Sequence, residues 1–475
     1  MRLNSIRKSS QAVFLALFIY LLLYKYKILI PADIFLKTDP LIGFAASISA
    51  RIILPGIAFS IIMLILTFVF GRFFCGWVCP LGSIIDLTGG LGGKKPAQSD
   101  SVNRNSRKAK FFALGAIVFF ALSGQQLAWI FDPIVITTRF ISLNFIPSAA
   151  LLLDRSGARA GYFAYSGIVF VSFLAICCSA LFVKRFWCRA LCPLGALYSL
   201  FARRPLIKRT TGNCDECKMC PPDRKAGRGE CRMGAIKDDA SYVEEECVLC
   251  MDCLYDCPAG STRFVWPVAG KNAAASRGQA GDISRRNFIF LSLSSVFLAG
   301  FSDRIKSGKS NRRVIRPPAA LNENEFVERC IRCGSCVKIC FTGGLQPVIF
   351  ESGLEGIWTP QLVPEIGYCD YNCALCGGAC PTGAIRRLSL TDKQKAVLGL
   401  AEIDRSTCVA WAENQHCHVC EHACPVSGAI KIKEEIIEGI SVLKPLVDRT
   451  LCTGCGICQN KCPVRPVRSI RVFPS

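Results

Sequence analysis

Acid is what this chain most conspicuously lacks: 35 Asp and Glu residues stand against 57 Lys and Arg, a net charge of +22. Nucleic-acid binding is one usual reason for such a balance, but here most of the excess charge flanks apolar segments, as in membrane proteins with basic loops. Histidine is scarcer still. All three, His416, His418 and His422, fall within one short stretch. No C-x-x-C-H occurs, which excludes covalent attachment of c-type haem. There is also no P-loop, dinucleotide fingerprint or hydrolase elbow. The chain therefore shows no site of its own for reducing a terminal substrate.

What it has in excess is apolar residues and cysteine. Hydrophobic residues make up 51% of the 475, with 30 cysteines among them. Disulfide-rich secreted chains are short and lack long apolar spans. The cysteines instead fall largely in runs of the C-x2-C-x2-C-x3-C-P type, the ligand spacing of bacterial iron–sulfur ferredoxins. Zinc ribbons need only two C-x2-C pairs per site, so repeated four-cysteine runs favour clusters.

Four apolar stretches reach the ~20 residues that a membrane-spanning helix needs: Gln11–Leu29, Ile52–Phe74, Phe111–Phe131 and Tyr162–Val183. Segments 1–10, 72–110 and 184–209 hold 17 Lys and Arg, against seven in the alternate loops 25–51 and 132–161. The positive-inside rule then predicts a cytoplasmic N terminus, middle loop and residue 184 onward. The same half repeats itself. Asp39-Pro40 precedes a span ending GRFFCGWVCPLG, and Asp132-Pro133 precedes one ending VKRFWCRALCPLG. Membrane sites are commonly built where such repeats meet.

The repeats nominate two constellations. Cys75, Cys79, Cys188 and Cys192 form C-x3-C-P pairs; residues four apart share a helix face, so both pairs are expected to converge. An additional four-thiolate site and redox-inactive thiols at a helix end, each terminated by its proline, both suit that spacing. Asp39, Asp132 and Arg139 lie near the expected outer face as candidates for a quinol or proton site. A plain helix start, Asp capping and Pro in the first turn, suits the two Asp-Pro pairs equally. Cys177 and Cys178 have no partner pattern and read as buried core cysteines.

Residues 210–265 form a first ferredoxin module, expected in the cytoplasm. Exchange of the fourth cysteine between runs predicts one [4Fe–4S] cluster on Cys214, Cys217, Cys220 and Cys257, and a second on Cys247, Cys250, Cys253 and Cys231. A small-residue linker, 266–282, leads to Ile283–Phe301, where Ser284-Arg285-Arg286-Asn287-Phe288 opens a short apolar run. This looks like a twin-arginine export signal retained as a fifth anchor. Folded export suits a protein whose clusters are built in the cytoplasm.

Beyond it, residues 302–475 carry four more runs: Cys330, Cys333, Cys336, Cys340; Cys369, Cys373, Cys376, Cys380; Cys408, Cys417, Cys420, Cys424; and Cys452, Cys455, Cys458, Cys462. A nested exchange pairs the outer two runs and the inner two, joining Cys462 to Cys330/Cys333/Cys336 and Cys340 to Cys452/Cys455/Cys458. It likewise joins Cys424 to Cys369/Cys373/Cys376 and Cys380 to Cys408/Cys417/Cys420. The 24 cysteines of both modules are thus expected to hold iron in six [4Fe–4S] clusters. The three histidines lie in the third run, which already has four cysteines, so they are expected around a cluster rather than on it.

With these motifs in place, residues 1 to about 265 resemble the NapH-type membrane subunit of periplasmic nitrate reductase systems. Residues 283–475 resemble its NapG-type partner, a twin-arginine-exported four-cluster ferredoxin, down to TCVAWAENQHCHVCEHACP. MauN/MauM-like pairs of methylamine-utilisation systems are similar. The resemblance implies an α-helical membrane domain, residues 1–209, of four spans plus a fifth anchor, with two α+β bacterial-type ferredoxin modules. It also implies a fusion of two subunits in the bacterial inner membrane, multi-pass, with the second module periplasmic. The implied activity is quinol oxidation, with electrons passed from the membrane quinone pool to a periplasmic c-type cytochrome or molybdenum reductase; nucleic acid is not an expected partner. A polyferredoxin assisting maturation of a metallo-oxidoreductase is the alternative.

Overall fold

Helices dominate the first half of the chain and short antiparallel hairpins the second. A computed structural model describes residues 3–23, 33–91, 100–153, 163, 165–203, 205–211, 231–236, 242–255, 257, 262–266, 314–349, 351–437 and 440–474. The export-signal-like stretch 283–301, the linker and Cys214, Cys217 and Cys220 lie outside the described residues. Two compact units emerge: Met1–Thr138 with Phe170–Lys306, and Arg139–Val169 with Ser307–Ser475.

In the first unit the helices are α1 (Leu3–Leu23), α2 (Ile34–Lys37), α3 (Pro40–Ser49), α4 (Ile57–Phe70), α5 (Phe73–Trp77), α6 (Pro80–Leu91) and α7 (Asp100–Leu122). After them come α8 (Pro133–Phe140), whose last two residues count with the second unit, then α9 (Ile146–Leu153) within that unit. The first unit resumes with α10 (Ser166–Phe182), whose first four residues count with the second unit, and α11 (Pro193–Phe201). By length and composition only α1, over Asn4–Leu23, is apolar enough to cross a membrane among the described residues; α3, α4 and α10 are shorter apolar helices. Each expected span overlaps one of α1, α4, α7 and α10, yet α4 has 14 residues and α10 has 17.

Four of these helices, α3, α6, α8 and α11, begin with proline, and the residue before each is Asp39, Cys79, Asp132 and Cys192 in turn. Proline suits the first helical position because its missing N–H has no partner there anyway. The preceding side chain then takes the free N–H groups of the first turn. Asp39 Oδ1 accepts from Leu41 and Ile42, and Asp132 Oδ1 from Ile134 and Val135. Cys79 Sγ accepts from the Gly82 N–H at 3.4 Å, and Cys192 Sγ from Gly195 at 3.2 Å. The internal repeat is a repeat of capped proline starts.

The second unit consists of two similar halves. In the first, β3 (Leu345–Pro347) pairs antiparallel with β4 (Pro360–Leu362), between the first two cysteine runs. The flanks of those runs close on each other through an Ala320–Ile385 bridge, with the Leu321 N–H donating to the Ala384 carbonyl at 3.1 Å. In the other half, β6 (Ile430–Ile437) pairs with β7 (Ile440–Val447) between the third and fourth runs. There the flanks close as β5 (Gly399–Ile403) against β8 (Ile470–Pro474), Leu400 opposite Phe473. In the first unit the strands β1 (Lys208–Thr211) and β2 (Thr262–Val265) close the smaller module in the same manner.

Candidate functional site

Four cysteine sets stand out in the second unit, each lining its own pocket. Cys330, Cys333 and Cys336 meet Cys380; Cys369, Cys373 and Cys376 meet Cys340. Cys408, Cys417 and Cys420 meet Cys462; Cys452, Cys455 and Cys458 meet Cys424. The nested exchange expected from sequence is therefore wrong. Fourth cysteines swap between neighbouring runs, one with two and three with four. Loop entropy does not decide this, since a roughly threefold longer loop costs only about 1 kcal/mol more. The hairpins and flank pairings do, because each holds two consecutive runs face to face.

The pockets suit an iron–sulfur cluster. Their walls are otherwise mostly apolar, with Ile403, Val409 and Ile470 around the third set. Backbone N–H groups point at sulfur, as Ile385 does to Cys380 Sγ at 3.4 Å. Burial pushes the Cys330 and Cys376 thiols up to about 12 and Cys369 to about 11, so a soft cation is needed to hold them as thiolates. Among the described residues no three His, Cys, Asp or Glu side chains converge as ligands of a single ion. A four-iron cube spaces its thiolates more widely. None of the histidines lines the third pocket; His418 and His422 stack on each other, centroids 4.6 Å apart.

In the first unit the described part of the smaller module brings Cys231 into the electrostatic company of Cys247, Cys250 and Cys253. Its loop is fastened to α5. The Trp77 Nε1–H donates to the Leu249 carbonyl at 3.0 Å, and a Cβ on Gly76 would lie 2.2 Å from the Val248 carbonyl oxygen. Only glycine permits that approach. Glu246, beside the first of these cysteines, binds Arg72 at 3.0 Å and Lys110 at 2.5 Å.

The C-x3-C-P cysteines do not share a helix face, as their spacing suggested. Cys75 lies within α5 and Cys188 in a π-helical turn, Trp187–Leu191, whereas Cys79 and Cys192 sit at the breaks that start the next helices. Proline thus begins a helix rather than ending one. The pairs do converge, since Cys192 feels the charges of Cys188, Cys75 and Cys79. Around them the repeats exchange arginines. Arg72 and Arg185 each stand three residues before the first cysteine of their repeat and are 0% and 2% exposed. Arg185 Nη1 donates to the Cys75 carbonyl of the other repeat at 3.0 Å, while Arg72 Nη2 lies 2.7 Å from where a Gly195 Cβ would be. Arg72 Nε and Nη2 are buried without a hydrogen-bond partner. Four cysteines are thus faced by two buried guanidinium groups, each also paired with a carboxylate, Arg72 with Glu246 and Arg185 with Asp86.

Asp39 and Asp132 meet as well. Both are 0% exposed, and their side chains are within hydrogen-bonding reach of each other. Two carboxyl oxygens at that range need one proton between them. Tyr198 on α11, fully buried and with no hydrogen bond to its Oη, lies within electrostatic reach of Asp39, Asp132, Cys75 and Cys79. Sequence reasoning missed Tyr198, Arg72 and Arg185; the matching arginines of GRFFC and VKRFWC were the available signal. Arg139 departs from the grouping expected for it. Its Nε donates to the Arg332 carbonyl at 2.9 Å and its guanidinium lies over Trp358, beside the first cysteine set of the second unit.

Comparison with known proteins agrees with these cysteine sets. A family model described as a 4Fe-4S binding domain matches residues 52–97 and 165–213, the two C-x3-C-P regions. A second, a 4Fe-4S dicluster domain, matches 414–465, which covers the third run except Cys408 and the whole fourth run. The methylamine utilization ferredoxin-type protein MauM of Paracoccus denitrificans is 37% identical over 166 residues, 34% of this chain and 72% of the relative. MauM of Methylobacillus flagellatus is 38% identical over 168 residues, 34% of this chain and 68% of the relative. The ferredoxin-type protein NapG of Escherichia coli is 34% identical over 170 residues, 34% of this chain and 70% of the relative. No solved structure matches this chain significantly.

Proposed function

Because the chain belongs to the family of ferredoxin-type iron–sulfur electron-transfer proteins that includes MauM and NapG, we propose that it is a membrane-bound quinol dehydrogenase subunit. On this reading it is a NapH-type and a NapG-type protein fused, multi-pass in the inner membrane. The smaller module is cytoplasmic and the four-run module is exported. Six cysteine sets hold [4Fe–4S] clusters, which when bound supply one-electron transfer. The acceptor is a periplasmic c-type cytochrome or molybdenum reductase.

The observation that carries the reading is the meeting of the two repeats. Asp39 and Asp132 pair between them, Tyr198 lies alongside, and Cys75 and Cys79 lie within its reach. Oxidising a quinol to a quinone releases two protons and two electrons. A carboxyl pair that holds a single proton has room for a second, so it can take one from a quinol hydroxyl. Arg72 and Arg185 would offset the negative charge of a thiolate-held centre on Cys75, Cys79, Cys188 and Cys192. This additional site belongs to the same proposal.

The test is anaerobic reduction of the purified, membrane-embedded protein by a quinol analogue, followed as bleaching of cluster absorbance. Asp132→Asn should slow bleaching by quinol about a hundredfold, in the range of general-base effects, while dithionite still bleaches the protein fully. Wild-type protein that quinol leaves unbleached would sink the reading.

A further inference from the structure

The second unit contains a piece of the first half of the chain. Residues 139–169 are separated in sequence from the rest of that unit by more than a hundred residues, yet they contribute to its core. Leu143, Phe163 and Val169, 3%, 6% and 5% exposed, share one apolar cluster with Ile315, Leu321, Phe326 and Val337. The four-run module thus completes its core with side chains that are not its own.

The attachment is centred on the first cysteine run. That run turns tightly around its sulfurs, with Arg332 at φ 52° and Gly334 at φ 79°. The turn leaves the Arg332 carbonyl facing outward, where Arg139 Nε donates to it at 2.9 Å. Arg139 is 7% exposed and its guanidinium lies 5.6 Å from the Trp358 ring centroid. Ser142 and Leu143, in the π-helical turn Ile141–Phe145, back onto Gly334, 3.8 Å from its Cβ position. The Arg139 charge also reaches Cys333. One buried cation and a small apolar face make a socket of defined chemistry.

We propose that residues 139–169 are a docking segment for the chain's own four-run module, so that the module stays bound even when the connection through residues 266–313 is cut. Arg139 is the positioning residue. It fixes the first run by its carbonyl and places a positive charge beside Cys333. The proposal does not depend on quinol as the donor.

A protease site inserted between residues 270 and 280 of the full chain tests it. After cleavage in detergent, the two pieces are expected to co-purify. Arg139→Glu combined with Leu143→Asp is expected to release the C-terminal piece with its iron content unchanged, since neither residue belongs to that piece. Separation of the wild-type pieces overturns the proposal, as does continued association of the double variant. A second readout is electrochemical. Arg139→Gln removes a cation near one set only, so one reduction potential of the C-terminal piece should move negative while the others stay. If none moves, Arg139 does not have the assigned role.

Discussion

At the scale of single residues, Asp86 holds the most charge together. Arg185 binds it with two nitrogens, Nε at 2.8 Å and Nη2 at 2.7 Å, and Arg7 and Arg232 each approach to 3.3 Å. Burial raises the Asp86 carboxyl, but Arg185, Arg232 and the Gln11 amide together outweigh burial and hold it below the ordinary range. A carboxyl with a lowered folded value stabilises the fold above its ordinary value of 3.8. That contribution is lost as pH falls through the lowered value. Asp86→Asn leaves Arg185 without its carboxylate, while Arg7 keeps Asp252 at 3.7 Å, and removing one partner of a buried pair costs about 3–5 kcal/mol. Thermal unfolding of the variant at neutral pH should show that loss, with weaker dependence on acid than wild type. An unchanged acid profile would mean that other carboxyls control it.

At the scale of elements, each ferredoxin half is closed by a hairpin inside and a pairing of its flanks outside, which assigns Cys380 to the first run. Cys380→Ser should therefore expose Cys330, Cys333 and Cys336 to alkylation, read by peptide mass spectrometry, and leave Cys408, Cys417 and Cys420 protected. Labelling of the latter three instead would restore the nested arrangement. The ligand candidates were legible in the sequence because thiolate spacing is local. Their partners were not, because pairing is set by β3–β4, only three residues a strand, and by β6–β7, where β6 alternates weakly. The 4Fe-4S dicluster match across 414–465 carries the same lesson, since it takes two neighbouring runs as one module. The C-x3-C-P cysteines were legible as a pair of pairs. Their placement was not, because helical spacing was assumed across a break that proline creates.

At the scale of the whole molecule, one of the two loops poor in Lys and Arg parts from the basic segments in the packing of the chain, while the other, 25–51, does not. The loop 132–161, poor in Lys and Arg, was expected opposite the basic loops, and its residues from Arg139 onward count with the four-run module. The basic segments and the smaller cysteine module fall in the other unit. Reporters fused after Pro267 and after Ser475 are expected on opposite sides of the membrane. Both on one side would remove export from the proposal. Hydropathy drew the stretches around α4 and α10 longer than the helices themselves, because composition carries no information about where helix ends and breaks fall.

The crossed arginines carry a consequence for biosynthesis. Arg72 has Gly195 and Cys192 as neighbours, and Arg185 fastens Cys75 and Asp86. A ribosome that has made only the first repeat has therefore produced a buried cation with no turn to face and two cysteines with no lock. Closure of the crossed turns has to await residues 185–195, and Arg72 meets its carboxylate partner Glu246 only later still. Any metal centre carried there is loaded after that closure, so its insertion marks the moment when synthesis has passed the second repeat.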